Sequence, residues 1–134
     1  AQAQTPGRQV VAHIGQSLVQ AMELAKSSGA GRDAAELVAC ECVVLAETKD
    51  HQNWELLPKY AESAKGNEKK ALQAAIDEVE DQEDEHLYHT KGWCRELWIK
   101  SLGMPAVLPP PEEEKHVKTA IGAARAEQAR GEML

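Results

Sequence analysis

Apolar residues in the first part of the chain recur every three or four positions: Val10, Ile14, Ala21 and Leu24, with Ser17 on the same line. That spacing predicts a helix over about 9–27 that buries a single stripe. Ser27-Ser28-Gly29-Ala30-Gly31 ends it. A second helix is predicted over 33–64, opened by Asp33 and Glu36, which are spaced as a capping box. Leu37, Glu41, Val44, Thr48 and His51 form one stripe of it, with Cys40, Glu47 and Trp54 alongside. Pro58 predicts a kink or break, because its ring removes a backbone donor and clashes with the preceding turn. Lys65-Gly66-Asn67 then supplies a stop and a new N-cap.

The third segment, 68–102, has the cleanest repeat. Leu72, Ile76, Val79, Glu83, His86, Thr90, Trp93 and Leu97 alternate spacings of four and three without a gap. Two groups in mid-seam, Glu83 and His86, are polar, so the pattern directs both toward the core. A connection from Gly103 to Pro111 follows, in which Pro109-Pro110-Pro111 cannot be helix interior. Glu112, Glu113 and Glu114 then sit where the positive end of a last helix, 112–130, would favour them. Val117, Ile121 and Ala124 lie on one side of it. The expectation is an all-α chain, a single domain over 1–134 built as an antiparallel four-helix bundle with a long central hairpin.

Composition sharpens this picture. Phe is absent, and Ala, Glu, Lys, Gln and Leu dominate, which favours helix over strand. The chain has 22 acidic residues against 15 Lys and Arg. This surplus argues against nucleic acid or an anionic membrane surface as partner, since both require a basic footprint. No apolar run approaches the roughly 18 to 20 residues needed to cross a bilayer. Cys40, Cys42 and Cys94 do not make a disulfide framework and read as small buried hydrophobes. The start Ala1-Gln2-Ala3-Gln4 fits an exported mature chain, a trimmed form or a fragment, and the compartment is left open, with a cytoplasmic one placed first. There is no glycine-rich phosphate loop, nucleophile elbow or Cys-x-x-Cys pair.

Candidate chemistry centres on the stretch Glu78 to Glu85, where six carboxylates occupy eight positions. Like charges four apart on a helix each cost a few tenths of a kcal/mol (about 0.2–0.5). Glu78, Asp81, Asp84 and Glu85 read as a hydrated face. Glu83 and His86 differ, because a buried carboxylate needs a cation, a hydrogen-bond network or a proton. In a hairpin turning near Gly66, Glu47 comes level with Asp84, and His51 with Glu80. The first turn brings His13 level with Glu47. Three helices thus deliver His13, Glu47, His51, Glu83 and His86 to one height, a mixed imidazole and carboxylate set that suits iron, manganese or zinc better than calcium. Glu41 is a second buried acid to be explained. His89 and His116 read as surface ion-pair residues, and Trp54, Trp93 and Trp98 as core or interface.

Glu83-Asp84-Glu85-His86 resembles the Glu-x-x-His element of the ferritin-like superfamily, where Glu and His one turn apart bind one ion of a di-iron or di-manganese centre. The chain is similar to a divergent member. It departs from the pattern in offering Glu47-x-x-x-His51, spaced by four, and His13 where a Glu is usual; Glu127 or Glu132 is all the last helix adds near this level. The resemblance implies a non-haem iron or manganese cofactor and oxygen- or peroxide-linked oxidoreductase or iron-handling activity. Glu83 would be a terminal or bridging carboxylate, Glu47 a second carboxylate, His51 and His86 nitrogen ligands, and His13 a ligand or a support to one. A homo-oligomer is the expected assembly. The alternative from a different class is a non-catalytic helical interaction module, with Glu83 and His86 in a buried polar network that fixes helix register. Haem held between two histidines ranks third, because carboxylates crowd the same level.

Overall fold

The computed structural model describes residues 4–111, 129 and 131–133. Three long helices carry the fold: α1, Pro6–Ser27; α2, Arg32–Ser63; and α3, Gly66–Ser101. Among the described residues there is no strand, and the fold they form is all-helical. The expected last helix, 112–130, lies almost wholly outside the described residues, and the same is true of His116 and Glu127.

Helix α1 begins at Pro6, earlier than the apolar repeat alone indicates. Thr5 caps it, its hydroxyl accepting from the Arg8 amide at 3.2 Å. Proline at the first helical position has no amide to lose, and its ring is already set to the helical φ. The α1–α2 turn uses Gly29 and Gly31 at φ 75° and 96°, a region that L side chains adopt only with strain. Gly31, rather than a side-chain capping box, occupies the N-cap of α2, and no side chain caps that end. Asp33 instead lies in the first turn, where the helix dipole favours an anion, and its carboxylate meets Lys100 Nζ of α3 at 3.4 Å.

Helix α2 runs through Pro58 and stops at Ser63, so the proline does not end it. Only Ala64 and Lys65 separate it from α3, with Lys65 as N-cap in place of the expected Asn67. This short link makes α2 and α3 antiparallel neighbours. Cross-helix contacts run the length of the pair: Asp33 with Lys100, Glu41 with Cys94 and Trp98, His51 with Glu83, and Tyr60 with Glu68. Helix α1 packs on another side of α2, where the buried Cys42 thiol approaches the Leu18 carbonyl at 3.5 Å.

The core is concentrated in the α2–α3 hairpin. Ala61, Ala64, Ile76, Leu87, Cys94 and Leu97 are buried there, whereas α1 contributes no buried residue. Its partly covered face is Leu18, Ala21, Met22 and Ala25. The predicted stripe therefore holds only at Ala21; Val10, Ile14 and Leu24 are exposed. A helix with both Val10-Val11 and Leu18-Val19 offers two overlapping apolar stripes, and spacing alone does not choose between them.

On α3 the predicted seam holds at Leu72, Ile76, Val79, Glu83, Thr90, Trp93 and Leu97, all at least half-buried, and fails at His86. Leu87 is buried in its place and His86 is exposed. At about 100° per residue, position 87 lies only about 20° from the direction of Ile76 and position 86 about 80° away. A seam alternating three and four drifts around a straight helix. Leucine takes the covered position and histidine the rim. Beyond α3, the connection folds back: Pro110 is buried, and the Val107 amide donates to Glu96 Oε1 at 3.0 Å. Glu96 is fully buried, its other oxygen meeting Arg95 Nε at 3.1 Å.

Candidate metal centre

Glu83 is the centre of the candidate site. It sits in mid-α3 on the line of Ile76, Leu87 and Cys94, and only 4 % of it is exposed. Its Oε2 faces His51 Nδ1 of α2 at 2.5 Å. Its Oε1 is buried and has no hydrogen-bond partner. A buried, unpaired acceptor costs about 1–3 kcal/mol, more when charged, so this oxygen is either a standing penalty or the place of a cation or proton.

His51 is surrounded by carboxylates. Beyond Glu83, its Nδ1 lies 3.4 Å from Asp84 Oδ1, and its Nε2 lies 3.2 Å from Glu55 Oε1, one turn further along α2. Burial opposes a charged ring here, but the hydrogen bond and charge of Glu83, with Glu55 and Asp84, outweigh it and raise the His51 pKa above its ordinary value. The Glu83 carboxyl is also raised. Burial is the main cause, His51 pulls the other way, and Asp84 and Asp50 add to the rise.

Two groups of potential ligand atoms share Glu83. One is His51, Glu83 and Asp84; the other is Glu47, Asp50 and Glu83; within each group the atoms lie within 4.8 Å of one another. Glu47 and Asp50 are one turn apart on α2, and His51 is one turn past Glu47, so α2 presents all three from adjoining faces to a single point on α3. A small hollow beside the first group has Trp54, Pro58 and Ile76 on its apolar side and His51 with the carboxylates of Glu55, Glu80, Glu83 and Asp84 on its polar side.

The structure thus brings together Glu83, His51 and Glu47 of the residues singled out from the sequence. It does not bring His13 or His86 into either group. His13 is exposed on α1, where its backbone carbonyl accepts from Ser17 Oγ at 3.0 Å. His86 is exposed and lines a separate, open hollow with Glu47, Glu85, His89 and Thr90. His51 meets Glu83 and Asp84 rather than Glu80, a helix register one turn along from the one expected.

Asp84 and Asp50 are the members that sequence reasoning missed. Glu78, Asp81 and Glu85 are exposed as expected of a hydrated face, but Asp84 is half-buried against His51. The available signal was the turn-spaced pair Glu47 and Asp50, next to His51. His89, expected in a surface ion pair, packs its ring on Trp93 with centroids 5.8 Å apart. Glu41 finds its partners in Cys94 Sγ at 2.9 Å and Trp98 Nε1 at 3.0 Å, and those two hydrogen bonds hold its carboxyl below the usual range. Among the described residues no helix is long and apolar enough to cross a membrane. No family model, curated protein or solved structure matches the chain.

Proposed function

We propose that this protein binds a divalent transition-metal ion, iron or manganese, between α2 and α3, with Glu83 as the central ligand. The single observation that carries the reading is the buried Glu83 carboxylate with one oxygen unpartnered, at the meeting point of two carboxylate-rich groups. His51 and Asp84 would complete one position, and Glu47 and Asp50 a second, so that Glu83 could serve one ion or bridge two. One imidazole among four carboxylates suits a hard or borderline ion, and the open side toward solvent leaves room for water or a small oxygen species. When bound, such an ion supplies redox or Lewis-acid chemistry toward oxygen or peroxide. The chain's own residues neutralise its charge and fix its position on two rigid helices, with Trp54, Pro58 and Ile76 supplying an apolar wall to the hollow beside it. A ferritin-like bundle completed by the C-terminal segment, and a homo-oligomer, belong to the same reading.

Chelator-stripped protein titrated anaerobically with Mn(II), followed by calorimetry and by electron paramagnetic resonance of the free ion, tests this. One or two ions bound per chain, lost in Glu83→Ala, support the proposal; no binding at millimolar Mn(II) or Fe(II) ends it. One observation favours a second reading. His51 already satisfies both ring nitrogens with carboxylates, as a protonated imidazole would, and so could be the cluster's internal cation. The pair would then set the register of α2 against α3 in a non-catalytic helical module. Protein that takes up no ion and unfolds identically with and without chelator would favour that reading.

A further inference from the structure

Three turns from the candidate metal centre, the same helix pair brings two thiols together. Cys40 lies eleven residues before His51 on α2, and Cys94 lies eleven residues after Glu83 on α3. Eleven residues make about three turns with a remainder of only about 20°, so each cysteine occupies the same helix face as its site residue, roughly 16 Å along the axis. The antiparallel pairing that joins His51 to Glu83 therefore also joins Cys40 to Cys94. The contacts agree: Cys40 Sγ lies 3.9 Å from the Thr90 carbonyl, one turn before Cys94, while Cys94 Sγ donates to Glu41, the neighbour of Cys40, at 2.9 Å. The third cysteine, Cys42, faces α1 instead, against Leu18.

We propose that Cys40 and Cys94 are a peroxide-oxidisable dithiol that closes a disulfide between α2 and α3. This inference is independent of metal binding. Cys40 is the half-buried member and the one a small oxidant reaches; Cys94 is buried. The Cys40 sulfur attacks a hydroperoxide, breaking the O–O bond to give the sulfenic acid and hydroxide or alkoxide, which takes up the proton Cys40 releases. Cys94 then attacks the oxidised sulfur. Glu41, hydrogen-bonded to the Cys94 thiol, accepts its proton and returns it to the departing hydroxide, which leaves as water. For hydrogen peroxide the balance is two thiols and one peroxide to one disulfide and two waters, with two electrons passing from sulfur to oxygen. Glu41 is thus the general base and acid of this step, itself held by the Trp98 indole. Burial raises both thiols, and at Cys94 the bond to Glu41 adds to it and pushes the pKa far up, so of the two Cys40 reacts first and Cys94 second, once a sulfenic acid stands beside it.

The test uses the full chain, reduced and then exposed to a slight excess of hydrogen peroxide, with non-reducing peptide mapping by mass spectrometry. The expected result is the loss of two of the three thiols, a mass lower by two hydrogens, and one peptide pair joined through Cys40 and Cys94 with Cys42 still free. In Cys94→Ser, Cys40 should accumulate as sulfenic acid that a dimedone probe captures. In Glu41→Gln, capture of that intermediate should rise while the disulfide forms at least tenfold more slowly. A bridge involving Cys42, three thiols surviving in the wild-type chain, or oxidation of Cys40 and Cys94 without an S–S bond would each overturn the proposal.

Discussion

Glu83→Gln separates a built metal site from a structural ion pair, because the two predict opposite changes in stability. In the metal-free protein Glu83 is attracted to His51 at 2.5 Å and repelled by Glu47, Asp50 and Asp84, whose oxygens come within 4.8 Å. At an effective dielectric of about 20, the attraction is about 7 kcal/mol and each repulsion about 3.5 kcal/mol before water screens the exposed Asp50, so with that share discounted the Coulomb contributions nearly cancel. Burial and the unpartnered Oε1 then decide the sign. The substituted amide still accepts from His51 and donates to a neighbouring carboxylate, so the orphan is removed. Metal-free Glu83→Gln should therefore be more stable than wild type by about 1–3 kcal/mol. A divalent ion at about one hundred times its dissociation constant stabilises wild type by about 2.7 kcal/mol, roughly 10 °C in Tm for a chain of this size. The variant should lose that shift. Urea and thermal unfolding with chelator or with Mn(II) read both quantities in one set of samples. If metal-free Glu83→Gln is instead destabilised by about 3–5 kcal/mol, as breaking a structural buried pair would cause, the reasoning fails.

The pH dependence of the metal-free protein follows from two raised groups. Stability contributed by a raised His51 is fully present below its unfolded pKa, near 6.5, and lost as pH rises through its folded value; a raised Glu83 acts in the same sense from about 4.5 upward. Chelated protein should therefore be more stable at about pH 6 than at about pH 8, and His51→Gln should flatten that slope in urea titrations. Ile76→Ala removes a buried side chain beside Glu83 and should cost about 2–5 kcal/mol by chemical denaturation; a loss under 1 kcal/mol would mean that the site's apolar wall is not packed. His13→Ala and His86→Ala, both at exposed positions, should leave the Mn(II)-dependent Tm shift intact and change stability by less than about 0.5 kcal/mol; loss of the shift in either would return that histidine to the ligand set.

Periodicity made three helices legible, and chemistry made Glu83 legible, because a carboxylate in an otherwise apolar seam has few explanations. The same repeat misplaced His86. A pattern written in threes and fours treats positions 86 and 87 as interchangeable until side-chain polarity chooses between them, and Leu87 is the better core residue. Helix height was legible only to within a turn, so His51 was matched with Glu80 instead of Glu83 and Asp84. Asp50 and Asp84 were hidden for a different reason: in a stretch rich in acids, only the neighbouring helix distinguishes a carboxylate gathered into the cluster around Glu83 from a solvated one. Glu96 carried no local signal, since what covers it is the connection after α3, contacting it from eleven residues away through Val107. The Cys40–Glu41–Cys94 contact likewise exists only because two distant segments lie antiparallel.

Helix α1 has a thermodynamic consequence of its own. It has no buried residue, rests on α2, and leaves Val10, Val19 and Leu24 in water, while α2 and α3 hold the core between them. Little burial is surrendered if it comes away. Its amides should exchange with deuterium through a low-energy partial opening, ahead of those around Ile76 and Leu87, which wait for cooperative unfolding of the hairpin. The α2–α3 pair would keep its shape, and with it the cluster around Glu83, in molecules whose first helix has already detached.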